Sequence, residues 1–174
     1  DGLLMFRSVA RDTLEPAELL DGLKEGLAAR PDLWQAWSAV VAQHAEMNRL
    51  DEALDVARGA VERFPLLPPV WLDLAYVRTL RGEGREELEA LEQAFRINPG
   101  WASAVRELAS AHERRGDYAR SREIYEGAVA RAPLEAAHHG GLAWSLWRLG
   151  PRVEGSSEHL RREPAVSCDR AGVA

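Results

Sequence analysis

The residues that could do chemistry here are five histidines, one cysteine, a Gly82–Glu83–Gly84 turn, and a large supply of tryptophan and arginine. A metal site needs ligands that converge. His138 and His139 are neighbours, so on a helix they point about 100° apart and do not chelate as a pair. His44 and His112 lie 112 − 44 = 68 residues apart. With helices packed about 8–10 Å apart, that is too far for shared ligation, and both read as packing residues. Cys168 is the only cysteine, which excludes an internal disulfide and a cysteine metal site. No strand precedes Gly82–Gly84, so it does not read as a phosphate-cradling loop. There is no His-Glu-x-x-His and nothing like a nucleophile elbow. The expectation is no catalytic residue, no metal and no cofactor, hence no enzyme. Six tryptophans and 22 − 1 = 21 arginines, Lys24 being the sole lysine, point instead to recognition through aromatic anchors and guanidinium groups.

Those side chains need a scaffold, and the prolines disclose it. Pro31, Pro65, Pro99 and Pro133 are separated by 65 − 31, 99 − 65 and 133 − 99, each 34 residues. Similar segments precede the last three, and Ala60, Ala94 and Ala128 stand five places before them. Within each unit the apolar spacing is helical. Trp37, Val40, Val41 and His44 fall at i, i+3, i+4 and i+7, followed in later units by Trp71, Leu74, Ala75 and Arg78, then Val105, Leu108, Ala109 and His112. A turn follows, with Asn48, Gly82 and Gly116 in one equivalent place, residues that tolerate a left-handed helix end. A second helix then runs to the proline, which has no N–H and disfavours helix in the residue before it. Its inner stripe is Ala53, Ala57 and Ala60, then Leu91, Ala94 and Phe95, then Tyr125, Ala128 and Val129.

Two antiparallel helices per 34 residues resembles the tetratricopeptide repeat family. The family's first-helix aromatic falls on Trp37 and Trp71, and its Leu–Gly pair on Val40–Val41, Leu74–Ala75 and Leu108–Ala109. Its second-helix alanine falls on Ala53 and its aromatic on Tyr125. Glu87 departs from the pattern: a small residue belongs there, so either helix two shifts locally or the carboxylate reaches past the contact to solvent. His44, Arg78 and His112 replace the usual tyrosine. The segment RRGDYARSREIYEGAV also resembles a half-repeat variant associated with RNA-processing scaffolds, although Trp71, Leu74 and Ala75 fit the tetratricopeptide form better. The resemblance implies an all-α solenoid of antiparallel helix pairs in a right-handed superhelix. Its array covers residues 1–150, in units of about 1–31, 32–65, 66–99 and 100–133 with a further first helix over 134–150. Leu3, Phe6 and Ala10 should share the inner face of the opening helix. Residues 151–174 read as a stunted capping helix, Ser156 to Arg162, and a tail.

The resemblance also places a concave groove on first-helix positions not used for packing. The residues that would bind a partner are Gln35, Ser38, Tyr76, Arg106, Ser110, Arg114, Trp144, Trp147 and Arg148. In the last helix Leu142, Ala143 and Leu146 form the expected packing face, with His139 in the aromatic slot and partly buried. Trp144 and Trp147 project elsewhere, as an end cap or an aromatic anchor. Arg106, Arg114 and Arg148 form a candidate anion site, since arginine meets carboxylate with paired hydrogen bonds. The family's chaperone-tail clamp is missing, because Ala42 stands where it uses asparagine. The function expected is non-catalytic binding of a peptide or helix, from a partner protein with an acidic group or from another domain of a parent chain. Rival readings are a structural spacer that self-associates, a segment assisting a catalytic domain, and an RNA-processing scaffold.

Composition narrows the field further. The chain has 174 residues with 28 acidic and 22 basic, a net charge of −6, which argues against nucleic acid as the main partner. No apolar run is long enough for a membrane span. Hydrophobic residues make up 46%, which excludes wholesale disorder. Arginine in place of lysine, with abundant alanine and glycine, reads as GC-rich bacterial coding. The chain opens at Asp1, which reads as a processed product or a piece of a longer protein. A cytoplasmic location is expected.

Overall fold

The computed structural model describes residues 2–10 and 12–150. Among the described residues every regular element is a helix. The order is α1 (Gly2–Ala10), α2 (Pro16–Ala29), α3 (Trp34–Glu46), α4 (Leu50–Arg63), α5 (Pro68–Leu80), α6 (Gly84–Ile97), α7 (Ala102–Arg114), α8 (Tyr118–Arg131) and α9 (Ala136–Leu149). Neighbours in sequence pack as neighbours in space, and each odd-numbered helix from α3 onward also touches the odd-numbered helix before it. The result is the expected all-α, right-handed solenoid of helix pairs. The stunted capping helix and Cys168 lie outside the described residues, as do the side chains of Leu3 and Phe6.

The turns follow from backbone chemistry. Asn48, Gly82 and Gly116 have φ of 56°, 73° and 77°, as their residue types predict. The next N–H in each case reaches back to a carbonyl five residues earlier: Arg49 to His44, Glu83 to Arg78 and Asp117 to His112, at 2.9, 3.0 and 3.0 Å. Together with bonds from Asn48 to Ala45, Gly82 to Thr79 and Gly116 to Glu113, this is the Schellman arrangement. At the other end of each unit the first-helix aromatic is tied to the proline turn. Trp37 Nε1–H donates to the Pro31 carbonyl and Trp71 Nε1–H to that of Pro65, both at 3.0 Å. His139 repeats the bond on Pro133 at 2.8 Å. So His139 does occupy the aromatic slot, but it is exposed rather than partly buried, because no later helix among the described residues covers it.

Small residues let the helices approach. Ala53, Ala57 and Ala60, then Ala94 and Ala128, are at most 1% exposed. Larger side chains from the facing helices fill the remaining space, giving one long core and a smaller N-terminal cluster around Leu19, Leu20 and Leu23. Gly59 and Gly141 take this furthest. A Cβ on Gly141 would stand 2.1 Å from the Tyr125 ring, so the α9 backbone rests directly on that ring.

The last helix corrects the sequence reading. His138 and Ser145 are fully buried, Ala143 is exposed and Leu146 is 46% exposed. The expected face of Leu142, Ala143 and Leu146 is the one a first helix turns toward its own second helix, as Leu74–Ala75 and Leu108–Ala109 do. Among the described residues none follows α9, so it turns inward only the stripe that meets α7 and α8. There the His138 ring bonds the Gly100 carbonyl through Nε2 at 3.1 Å, a tautomer assigned from this bond.

Candidate functional site

The first helices set their unused positions along one face, and the expected binding residues divide there into three groups. At the N-terminal end Gln35 is half-buried and Ser38 is buried. Ser38 donates its hydroxyl hydrogen to Asp73, so it acts as a strut between α3 and α5 rather than as a free contact. Burial pushes the Asp73 carboxyl up to about 6, against the Ser38 hydrogen bond, which lowers it. The charged form is the one that burial disfavours.

The middle group lines a cleft of about 430 Å³. Tyr76, 49% exposed, stands at its mouth with Leu72, Thr79 and Arg114. Its polar walls also include Asp73, Glu87 and Glu107, three residues absent from the expected site. Neither alternative for Glu87 holds. Its side chain is buried at 4% exposure, and α6 stays in register. The carboxylate accepts from the Thr79 hydroxyl at 2.9 Å, from Arg115 Nη2 at 2.8 Å and from Arg114 Nη2. Burial pulls its pKa up, the three donors pull it down, and the donors prevail, so Glu87 is held below the usual range.

The third group closes the C-terminal end. Trp144 and Trp147 are 48% and 67% exposed, with ring centroids 5.0 Å apart and planes at 34°. Arg148 lies over the Tyr118 ring at 4.6 Å and beside Trp144 at 5.8 Å, and donates to the Tyr118 hydroxyl. Trp144 Nε1–H donates to Glu113 at 3.2 Å. The three arginines of the candidate anion site therefore have separate partners: Arg106 pairs with Glu107 at 3.0 Å, Arg114 with Glu87, and Arg148 with Tyr118. Ser110 is half-buried between these groups. Asp73 and Glu107 were legible in principle, since 107 − 73 is again 34 and both precede groove residues by a fixed step. Tyr118 was not, because it sits on a second helix and meets Arg148 only through the fold.

Among the described residues no group of histidine, cysteine and carboxylate side chains converges on a metal site. His44 is buried and its pKa is lowered by that burial. His112 is half-buried with Nδ1 3.6 Å from Asp117. Both sit on the packing face. No described helix is long and apolar enough to cross a membrane.

This geometry defines a helical-repeat solenoid with one exposed, aromatic-rich face. Residues 34–77 match the family model described as tetratricopeptide repeat. With the fold around that match, the chain is a tetratricopeptide repeat protein. Similar solved structures include MamA, at 15% identity over 85% of this chain and 81% of that one, with a TM-score of 0.61. A thermophilic TPR protein of Thermus thermophilus, TTC0263, is 18% identical over 83% and 89%, with a TM-score of 0.64. A complex of Naa15/Naa10 bound to HypK-THB is matched at 16% identity over 86% of this chain and 22% of that chain, with a TM-score of 0.64. Among curated proteins none matches in sequence.

Proposed function

We propose that this chain is a non-catalytic protein-interaction module whose concave face binds a peptide or helix of a partner, or of another domain of a parent chain. The observation that carries the reading is the set of exposed aromatics, Tyr76 over its cleft and the Trp144–Trp147 pair, on one run of first-helix positions. Exposed aromatic side chains supply large contact area at small entropic cost and dominate binding hot spots. The partner's segment supplies apolar anchors for these rings and an acidic group for Arg106 and Arg148, whose guanidinium groups remain exposed. Arg114 serves mainly to hold Glu87. The remaining expected contacts, Gln35, Ser38 and Ser110, line the N-terminal and central part of the same face. A cytoplasmic scaffold in a bacterium fits this reading.

The test is a paired capture from lysate read by mass spectrometry, then titration of the purified partner. The second bait carries Tyr76→Ala and Trp147→Ala, both exposed enough to leave the helical spectrum unchanged. A partner held by the first bait and weakened at least tenfold in the second supports the site. Equal affinity for both removes it.

A further inference from the structure

In the internal units, the first-helix face at Leu74–Ala75 and Leu108–Ala109 is covered by that unit's own second helix, leaving those residues 8, 2, 4 and 0% exposed. The same face of α9 is open. Ala143 and His139 are exposed, Leu146 is 46% exposed, and Leu149 and Trp147 beside it are 43% and 67% exposed. Leu134, at the turn that leads into this helix, is 97% exposed. A cleft of about 330 Å³, bounded by Ala119, Arg122, Leu146 and Leu149, marks where this open seat meets α8. The array itself shows what such a seat takes: an antiparallel helix with small side chains spaced as Ala53, Ala57 and Ala60.

The chain's own continuation does not supply that pattern in register. Counting 34 from Ala128 reaches Arg162, and 34 from Tyr125 reaches His159. Ala60, Ala94 and Ala128, the residues equivalent to Arg162, are at most 1% exposed, so a guanidinium has no room there. By contrast α9 carries the pattern itself. Ala136, Gly140 and Ala143 repeat the steps of four and three, since 140 − 136 = 57 − 53 and 143 − 140 = 60 − 57, and all three are exposed. Leu146 and Trp147 flank them. The helix has no carboxylate of its own between Ala136 and Leu149, so two such faces meet without like-charged acids opposed.

We propose that α9 is a dimerisation helix: two copies of the chain pair their α9 faces antiparallel, each serving as the second helix the other's last unit lacks. Such an interface is isologous, with one patch complementing itself about a two-fold axis. It rests on the face that looks away from the concave residues, so it stands or falls independently of the peptide-binding reading.

The test uses the full 174-residue chain. Sedimentation should show a concentration-dependent dimer. Leu146→Glu should raise the dimer dissociation constant about 100-fold or more, since each copy loses a buried leucine and gains an opposed charge, with the helical spectrum unchanged. Ala143→Cys in a Cys168→Ser background should crosslink two copies under mild oxidation, whereas Asp55→Cys, on the exposed side of α4, should not. A monomer at all concentrations overturns the proposal. So does a dimer indifferent to Leu146→Glu that fails to crosslink at position 143. A monomeric Ala143→Cys variant whose introduced thiol resists a thiol reagent also overturns it, and shows the seat filled by residues 151–174. Capture of a foreign helix by a monomeric chain overturns it in favour of a different partner.

Discussion

Glu87 offers the sharpest test of how this array holds together. It brings one carboxylate on α6 under Thr79 of α5 and under Arg114 and Arg115 at the end of α7. Arg115 also donates to the Ala111 and Gly84 carbonyls, both at 2.6 Å. The two sides of this cluster should respond unequally to truncation. Glu87→Ala removes three hydrogen bonds, worth about 1–3 kcal/mol together after solvent exchange. It also ends the desolvation of a carboxylate, which costs several kcal/mol. The arginines, 50% and 32% exposed, return to water. The net change should stay within about 1 kcal/mol, the more so because alanine is the residue at the equivalent Ala53. Arg115→Ala instead leaves the buried carboxylate with fewer donors and strips two carbonyls, for a loss of about 2–4 kcal/mol. The double variant should recover about 1–2 kcal/mol relative to Arg115→Ala, a coupling expected of groups in contact. Urea unfolding followed by tryptophan fluorescence measures all four proteins, with equal slopes checked so that the units unfold together. Acid adds a second reading. A lowered folded pKa means stability present above the usual carboxylate range and lost as pH falls through the folded value, a loss Glu87→Ala should remove. If Glu87→Ala costs as much as Arg115→Ala, or the coupling lies below about 0.5 kcal/mol, the argument that α6 and α7 are tied through this carboxylate fails.

Asp73→Asn tests the opposite sign. With its folded pKa pushed up to about 6 from 3.8, Asp73 makes the fold less stable as pH rises through that interval. The amide should remove that slope and add about 2 kcal/mol at pH 7, read from thermal unfolding between pH 4 and 8. Gly141→Ala should cost about 2–3 kcal/mol in α9, because its Cβ would overlap the Tyr125 ring, and amide exchange should speed up there before it does in α3. Asn48→Gly should stabilise by about 0.5 kcal/mol or leave stability unchanged, whereas Asn48→Ala should cost about 1 kcal/mol, since only the first tolerates φ of 56° freely. Denaturant midpoints decide between them.

The helix pairs, their turns and their buried small residues were legible in the sequence because each follows from a local rule repeated three times. A left-handed cap needs Asn or Gly, a proline ends a helix, and a close approach needs alanine. What escaped the sequence depended on a neighbour that the repeat does not specify. The inner face of α9 could not be read from its apolar positions, because Leu142 and Leu146 mark the side where internal units carry a second helix, while His138 and Ser145 do the packing. Arg114 looked like a free cation in sequence, yet Glu87, 114 − 87 = 27 residues away, claims it.

Glu87 itself becomes intelligible once two register positions are taken as a pair. Eight residues separate Ala45 from Ala53, Thr79 from Glu87, and Glu113 from Ser121, and each pair lies across its unit's turn. In the first unit both members are alanine, buried at 8% and 0%. In the next, a hydroxyl on the first helix donates to a carboxylate on the second, Thr79 to Glu87 at 2.9 Å. In the one after, the roles are exchanged: the Ser121 hydroxyl on the second helix donates to Glu113 on the first at 2.6 Å. One contact is thus satisfied three ways, by apolar closure or by a hydroxyl–carboxylate pair in either direction. A single member read alone looks like an error in the repeat. The pair does not, because each carboxylate has its donor eight residues away across the turn. The exchange also reaches the exposed face. With its carboxylate on the first helix, Glu113 is free to accept the Trp144 indole N–H at 3.2 Å, which a carboxylate at position 121 would not offer from the groove side. The same choice of direction that closes the third unit therefore fixes one of the two tryptophans at the proposed binding surface.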